Sequence, residues 1–267
     1  MNLLVTLNSG YVDVLCVMLK SLVHCHPETE LEIYVMNSSL NRQDFEKINN
    51  CLPQRRHIHD IKICDDMLAG APITDRYPKE MYYRIFAARF LPRNVQRVLY
   101  LDPDIVVLKD LSQLYNMDFE GNYFAAASHV GRFLTNINAM RLQMEDGSPY
   151  INSGVMMMNI QLLRQQQSTE EVINYIQKNK LRLVLPDQDI ISALYGDRII
   201  DLNPFIYNMS ERLLMLPSAI EKGINQAWVK NNSAIVHFCG RNKPWKSSYI
   251  GVLGDVFQQA KELPPEK

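Results

Sequence analysis

The stretch Arg97-Val98-Leu99-Tyr100-Leu101-Asp102-Pro103-Asp104-Ile105-Val106-Val107-Leu108 constrains this chain more than any other. A nearly continuous apolar run bounded by charge reads as a strand buried on both faces, and such strands belong inside parallel sheets covered by helices. Open parallel sheets bind ligands beyond the carboxyl ends of their strands, which is where Asp102 and Asp104 interrupt the run. In an extended or turn-like backbone, residues i and i+2 can point the same way, so both carboxylates can meet one cation. Pro103 removes an amide donor between them and fixes its own φ, stiffening the corner. On spacing alone the competing reading is a plain loop opener, since Asp-Pro is common at turns.

Strands and helices alternate ahead of that stretch. Asn2 to Leu7 reads as a strand, Asn8-Ser9-Gly10 as a turn, and Leu15, Met18, Leu19 and Leu22 as one face of a helix that ends by Pro27. Leu31 to Met36 is a second strand, Asn41 caps a helix running to about Leu52, and His57 to Ile63 is a third strand. This rhythm implies a doubly wound, mostly parallel α/β sheet with right-handed crossovers. Ala71 to Pro78 reads as a loop and Pro78 to Leu91 as a helix. After the acidic pair come a helical turn at Leu111 to Tyr115 and a strand at Tyr123 to Ser128. Phe133 to Pro149 is polar and irregular, long enough to be a flap. A methionine-filled strand follows Gly154, Ser168 and Glu171 cap a helix ending near Lys178, and Pro186 and Asp187 open one ending by Gly196. Residues 208 to 232 read as irregular connections, Ala234 to His237 as a buried strand, and Tyr249 to Leu263 as a closing helix. At 267 residues the chain is long enough for one large α/β domain or two small ones and can bury a sizeable core.

Composition excludes several classes. Lys plus Arg (28) balances Asp plus Glu (29), so no overall field attracts nucleic acid or an anionic membrane. Cys16, Cys25, Cys51, Cys64 and Cys239 are odd in number, scattered and free of CxxC pairs, as expected of reduced cytoplasmic thiols. The N-terminal apolar stretch lacks a basic flank and is broken at Asn8, so neither a signal peptide nor a membrane span is expected there. The first turn holds one glycine and matches neither GxGxxG nor a Walker A loop. If a nucleotide diphosphate binds here, a metal and a basic side chain must neutralise it.

Candidate residues each carry two readings. Tyr11 opens a helix and either packs or stacks on a base. Arg84, in an apolar helix, either snorkels or orients a phosphate or sugar hydroxyl. Asn152 either shapes the turn at Gly154 or reads a ligand hydroxyl. Asp187 and Asp189 complement a helix dipole in the first turn, a role that leaves Gln188 unexplained. His237 ends a buried strand, and six residues on Lys243 is held by Gly240, Pro244 and Trp245. Imidazole joins carboxylates around Mn²⁺ or a similar ion, and lysine supplies a point charge for phosphate. His129 carries no assignment.

With these residues in view, the chain resembles the retaining glycosyltransferases of family 8, which include bacterial lipopolysaccharide galactosyl- and glucosyltransferases and glycogenin. The resemblance covers about Leu3 to Tyr249. It is carried by Tyr11 and the first helix, Tyr83-Arg84, VLYLDPDIVVL, YINSGVMMMN, LPDQDI and HFCGRNKPW. It implies a single GT-A domain over 1–267, with a donor-binding half at about 1–130, an acceptor half at about 131–250 and a C-terminal helix at 249–263. It also implies transfer of glucose or galactose from a UDP-sugar to a glycan or lipid-linked saccharide. Asp102, Asp104 and His237 would hold Mn²⁺ or Mg²⁺, and Lys243 and Gly240 would meet the diphosphate. Thr6, Asn8 and Tyr11 would lie near the nucleotide, with Arg84, Asn152, Asp187 and Gln188 around the sugar. Some relatives carry Asp-Asp where this chain has Asn8-Ser9. A cytoplasmic enzyme, at most peripheral at the inner face of a membrane, is expected.

Gln188 is uncharged and a poor nucleophile, which favours attack on the same face as the leaving group; a covalent route through Asp189 is the second reading. Two rivals stand beside the transferase. A sugar nucleotidyltransferase calls for a glycine-rich, basic first loop, which is missing. A non-catalytic nucleotide-sugar-binding domain fits poorly with all three candidate metal ligands and Lys243 in place.

Overall fold

The structure, a computed structural model, describes residues 1–52, 56–63, 68, 70–74 and 78–264. Cys64, part of the expected loop at 71–78 and the end of the C-terminal tail lie outside the described residues. The strands are β1 (Asn2–Thr6), β2 (Leu31–Asn37), β3 (Arg56–Lys62), β4 (Val98–Leu101), β5 (Ile105–Val107), β6 (Phe124–Ala126), β7 (Val155–Met158), β8 (Ile199–Asp201) and β9 (Ile235–His237). Seven form one sheet in the order β3-β2-β1-β4-β7-β6-β8. β1 to β4 pair in parallel, β7 runs antiparallel to both its neighbours, and β8 is parallel to β6. The mostly parallel sheet expected from the βαβ rhythm is the one observed.

Alternate residues of each central strand serve opposite faces. Leu3, Leu99, Leu101 and Met157 pack with Leu15, Met18, Leu19 and Leu22 of the helix Val12–Cys25. Leu4, Tyr100, Met156 and Met158 pack on the other side with Phe86, Ile190 and Ile191. Burying each such side chain contributes about 1.5–3 kcal/mol, so both faces hold the sheet. Asn41 caps the helix Arg42–Asn50 through the Gln43 and Asp44 amides, and Ser168 caps Thr169–Asn179 through the Glu171 amide.

Several expectations are corrected. The run from Arg97 to Leu108 is two strands: the chain turns at Pro103, leaves the large sheet, and β5 pairs antiparallel with β9 in a separate two-stranded sheet. The flap at 133–149 contains the helix Arg132–Leu142, entered through Gly131 and ended by Gln143 at φ 58°. Its apolar residues Phe133, Leu134, Ile137 and Met140 face solvent, so no buried stripe announced it. The region 208–232 holds short helices at Glu211–Leu214, Pro217–Glu221 and Gln226–Asn232. The closing helix starts at Gly254 and runs to Glu262, later than Tyr249. Among the described residues, no helix is long and apolar enough to cross a membrane.

Candidate active site

Asp102-Pro103-Asp104 is the corner between the two sheets, and β9 lies against β5 with His237 opposite Ile105. That register brings His237 Nε2 to 3.6 Å from Asp102 Oδ2 and 3.3 Å from Asp104 Oδ1. One ligand atom from each residue lies within 4.8 Å of the other two. Gly154 makes the close approach possible: a Cβ there would stand 2.2 Å from His237 Cε1 and 2.7 Å from Asp102 Oδ2. Its carbonyl accepts the Asp102 amide at 2.8 Å, tying β7 to the corner. Two carboxylates and an imidazole around a small gap form a donor set suited to a divalent cation such as Mn²⁺ or Mg²⁺.

Charge around the corner is compensated. The Lys243 ammonium pairs with Asp104 Oδ2 and donates to the Phe238 carbonyl at 2.9 Å. Burial works against the Asp104 charge, but Lys243 and His237 outweigh it and hold the carboxyl below the usual carboxylate range. Gly240, at φ 101°, turns the chain between His237 and Lys243. Arg84 is buried between two acids, with Nη1 2.9 Å from Asp102 Oδ1 and 3.2 Å from Asp187 Oδ2, and its guanidinium lies 4.3 Å from the centre of the Tyr100 ring. Burial raises the Asp187 carboxyl above its ordinary value, opposed by Arg84 and by the Ser153 hydroxyl, which donates at 2.7 Å.

The other wall is neutral. Asn152 Nδ2 donates to Gln188 Oε1 at 3.2 Å, and Asn208 Nδ2 donates to Asn152 Oδ1 at 3.0 Å. Asn208 reaches back to the acidic wall, its Oδ1 lying 3.0 Å from His237 Nδ1. Its backbone carbonyl is 2.6 Å from His129 Nε2. Burial, then the neighbouring His237, push the His129 imidazole down to about 3.

These walls enclose a cleft of about 830 Å³. Tyr11, Asp102, Asp104, Asn152, Asp187, Gln188, His237, Gly240 and Lys243 all line it, so sequence reasoning gathered most of one surface. Tyr11 stands edge-on to Trp245, ring centres 6.2 Å apart. Four expected residues do not line it. Thr6 lies behind, bonded through Oγ1 to the Tyr100 hydroxyl at 3.0 Å, and Tyr100 in turn donates to Asp102 Oδ1 at 2.6 Å. Asn8 accepts the Gly10 amide at 3.1 Å and caps the turn before the first helix. Arg84 holds the carboxylates from beneath.

Asp189 is fully buried and saturated, accepting from Arg141 on both oxygens at 2.8 Å, from the Tyr150 hydroxyl at 2.6 Å, and from the Val184 and Leu185 amides at 2.6 and 3.1 Å. Its place in the first turn of the helix Pro186–Tyr195 turns it away from the cleft that Gln188 faces. Sequence reasoning missed Arg141, Tyr150, His129 and Asn208. Arg141 arrives from the unanticipated helix, and Asn208 from a segment read as irregular.

The glycosyl transferase family 8 model matches residues 2–248. The chain belongs to glycosyl transferase family 8. Its relatives include the general stress protein A of Bacillus subtilis, 29% identical over 85% of this chain and 80% of that one. The lipopolysaccharide 1,2-glucosyltransferase of Escherichia coli K12 is 26% identical over 100% of this chain and 79% of its own length. Among solved structures, the galactosyltransferase LgtC, determined in complex with donor and acceptor sugar analogs, overlays 98% of this chain and 95% of its own at 22% identity, with a TM-score of 0.82. This family 8 protein therefore has the GT-A fold and is a glycosyltransferase.

Proposed function

We propose that this family 8 glycosyltransferase moves a glucosyl or galactosyl group from a UDP-sugar to a hydroxyl of a glycan or lipopolysaccharide, with a divalent cation, Mn²⁺ or Mg²⁺, at the D-x-D corner. The observation that carries the reading is the convergence of Asp102, Asp104 and His237 beside Lys243 at one edge of a cleft whose opposite wall presents side-chain amides. The printed activities of relatives support the hexose: a 1,2-glucosyltransferase of Escherichia coli and a 1,3-galactosyltransferase of Salmonella typhimurium. The free thiols Cys16, Cys25, Cys51 and Cys239 fit a reducing, cytoplasmic compartment.

Breaking the anomeric C–O bond leaves negative charge on a diphosphate. A cation held by Asp102, Asp104 and His237 supplies Lewis acidity to that leaving group when bound. Lys243, released from Asp104, adds a mobile positive charge for the phosphates, so no protein acid is needed. Tyr11 and Trp245 form the aromatic edge suited to a base, and Asn152, Asp187 and Gln188 face the sugar. Arg84 keeps Asp102 and Asp187 oriented from below.

For stereochemistry we favour same-face attack. The acceptor oxygen bonds to the anomeric carbon as the bond to UDP breaks, and the hydroxyl proton passes to the departing phosphate oxygen. Gln188 Oε1, which accepts from Asn152, has a second lone pair for the oxocarbenium-like centre. The covalent route through Asp189 is disfavoured, because its oxygens are taken by Arg141, Tyr150 and two amides.

The testing experiment is thermal unfolding with UDP alone, Mn²⁺ alone and both together, followed by a UDP-hexose panel scored by UDP release. A rise in midpoint that needs both ligands, followed by turnover of one UDP-hexose, is the expected result. No shift with either ligand would remove the donor assignment.

A further inference from the structure

The side-chain amides of the neutral wall form a hydrogen-bond chain with a single direction. Its fixed end is the backbone N–H of Gly154, which can only donate and gives its proton to Asn152 Oδ1. Asn152 Nδ2 is thereby the donor to Gln188 Oε1 at 3.2 Å. Asn152 Oδ1 then accepts twice, from the Gly154 amide at 3.2 Å and from Asn208 Nδ2 at 3.0 Å. A backbone N–H cannot reverse its role, so Gly154 fixes Asn152 and, through it, the direction of Asn208.

Asn208, wholly buried, has one side-chain atom left: Oδ1, 3.0 Å from His237 Nδ1. It accepts, so Nδ1 carries a ring proton and Nε2 is the nitrogen left to coordinate, on the side of Asp102 and Asp104. The opposite tautomer would require Asn208 to flip, setting its oxygen against Asn152 Oδ1, acceptor to acceptor.

We infer that Asn208 is the positioning residue of this site: its one side-chain amide, aimed by Asn152 Oδ1, sets the tautomer of His237, so the cation-binding and sugar-facing walls are oriented together. The inference rests on the metal-dependent reading for its functional consequence but not for the tautomer itself.

Two variants separate the roles. Asn208→Leu removes both the acceptor and the donor. Asn208→Asp keeps an acceptor for His237 and loses the donor for Asn152. In ¹⁵N-histidine-labelled protein without metal, long-range ¹H–¹⁵N spectra, with His237 assigned by its loss in His237→Gln, should show Nδ1–H in the wild type and in Asn208→Asp, but not in Asn208→Leu. With UDP present, Mn²⁺ affinity by electron paramagnetic resonance should fall roughly 10–100-fold in Asn208→Leu and stay within about threefold in Asn208→Asp. Sugar transfer by Asn208→Asp should still drop about tenfold or more, because a carboxylate oxygen set against Asn152 Oδ1 pushes aside the amide that aims at Gln188.

A wild-type Nδ1–H signal retained in Asn208→Leu, or full turnover in Asn208→Asp, would overturn the inference. If Asn208→Leu does not fold, the split in Asn208→Asp between retained Mn²⁺ binding and lost turnover decides it. A wild-type chain that binds no Mn²⁺ with UDP would sink the metal reading while the nitrogen spectra still judge the tautomer.

Discussion

The two walls of the cleft are built on different physics. On one, Asp102, Asp104, Asp187, Arg84 and Lys243 hold one another by opposed charges beside His237, in a setting where unpaired charge is costly. On the other, Asn152, Gln188, Asn208 and Tyr150 are neutral and held by hydrogen bonds with a fixed direction. Charged groups tolerate some latitude in geometry, since Coulomb attraction falls off slowly, whereas amides must be aimed. The difference matches what each wall would meet: a diphosphate and its cation are recognised by charge, and sugar hydroxyls by the placement of donors and acceptors.

The sharpest way to break this comparison is Asp104→Asn. It should abolish Mn²⁺-dependent binding of UDP and lower turnover by roughly a thousandfold or more, measured as UDP release, while the neutral wall stays folded. Arg84→Met comes next and acts on stability. Leaving buried Asp187 and half-buried Asp102 beside an apolar side chain should cost about 3–5 kcal/mol in urea unfolding, with the loss shrinking at acid pH as the carboxyls protonate. On the neutral wall, Gln188→Ala should leave Mn²⁺ and UDP affinity unchanged and reduce kcat by about a hundredfold. Equal losses in binding and turnover would show that the walls are not separable.

The smallest effect lies far from both walls and serves as a control. Buried His26 accepts the Leu111 amide on Nε2 at 2.9 Å, and burial, partly opposed by Asp110, lowers its pKa. Its contribution is complete above the ordinary histidine value of about 6.5 and is lost as pH falls through the lowered value. His26→Gln should flatten that part of the stability–pH profile, a change of about 1 kcal/mol, without touching turnover.

The same contrast explains what was legible in the sequence. Charged wall residues sit at places a linear reading can find: Asp102 and Asp104 interrupt an apolar run, and His237 ends one. The neutral wall was half visible. Asn152 and Gln188 stood out beside Gly154 and Pro186, but Asn208 lies in a stretch with no periodicity and reaches the site only because the Met209 amide bonds to the Ile235 carbonyl. Thr6 and Arg84 were placed in the cleft because sequence proximity does not say which side of a buried residue faces a cavity. The helix Arg132–Leu142, and with it Arg141, was missed because Phe133, Leu134, Ile137 and Met140 point outward. The turn of the chain into a second sheet was equally invisible, since Leu101 and Ile105 are equally apolar and only the partner strand differs.

That turn has a mechanical meaning. Asp102 closes one hydrogen-bonded slab and Asp104 opens another, the Asp104 carbonyl accepting the Phe238 amide at 2.9 Å just beyond His237. Asp104 and His237 therefore ride together on the small slab while Asp102 stays with the large one, and Pro103 is a covalent joint only one residue long. Vibration inside either slab leaves the three ligand atoms in register, whereas slip between the slabs would pull them apart, so the corner works as a gauge of how the two sheets are seated.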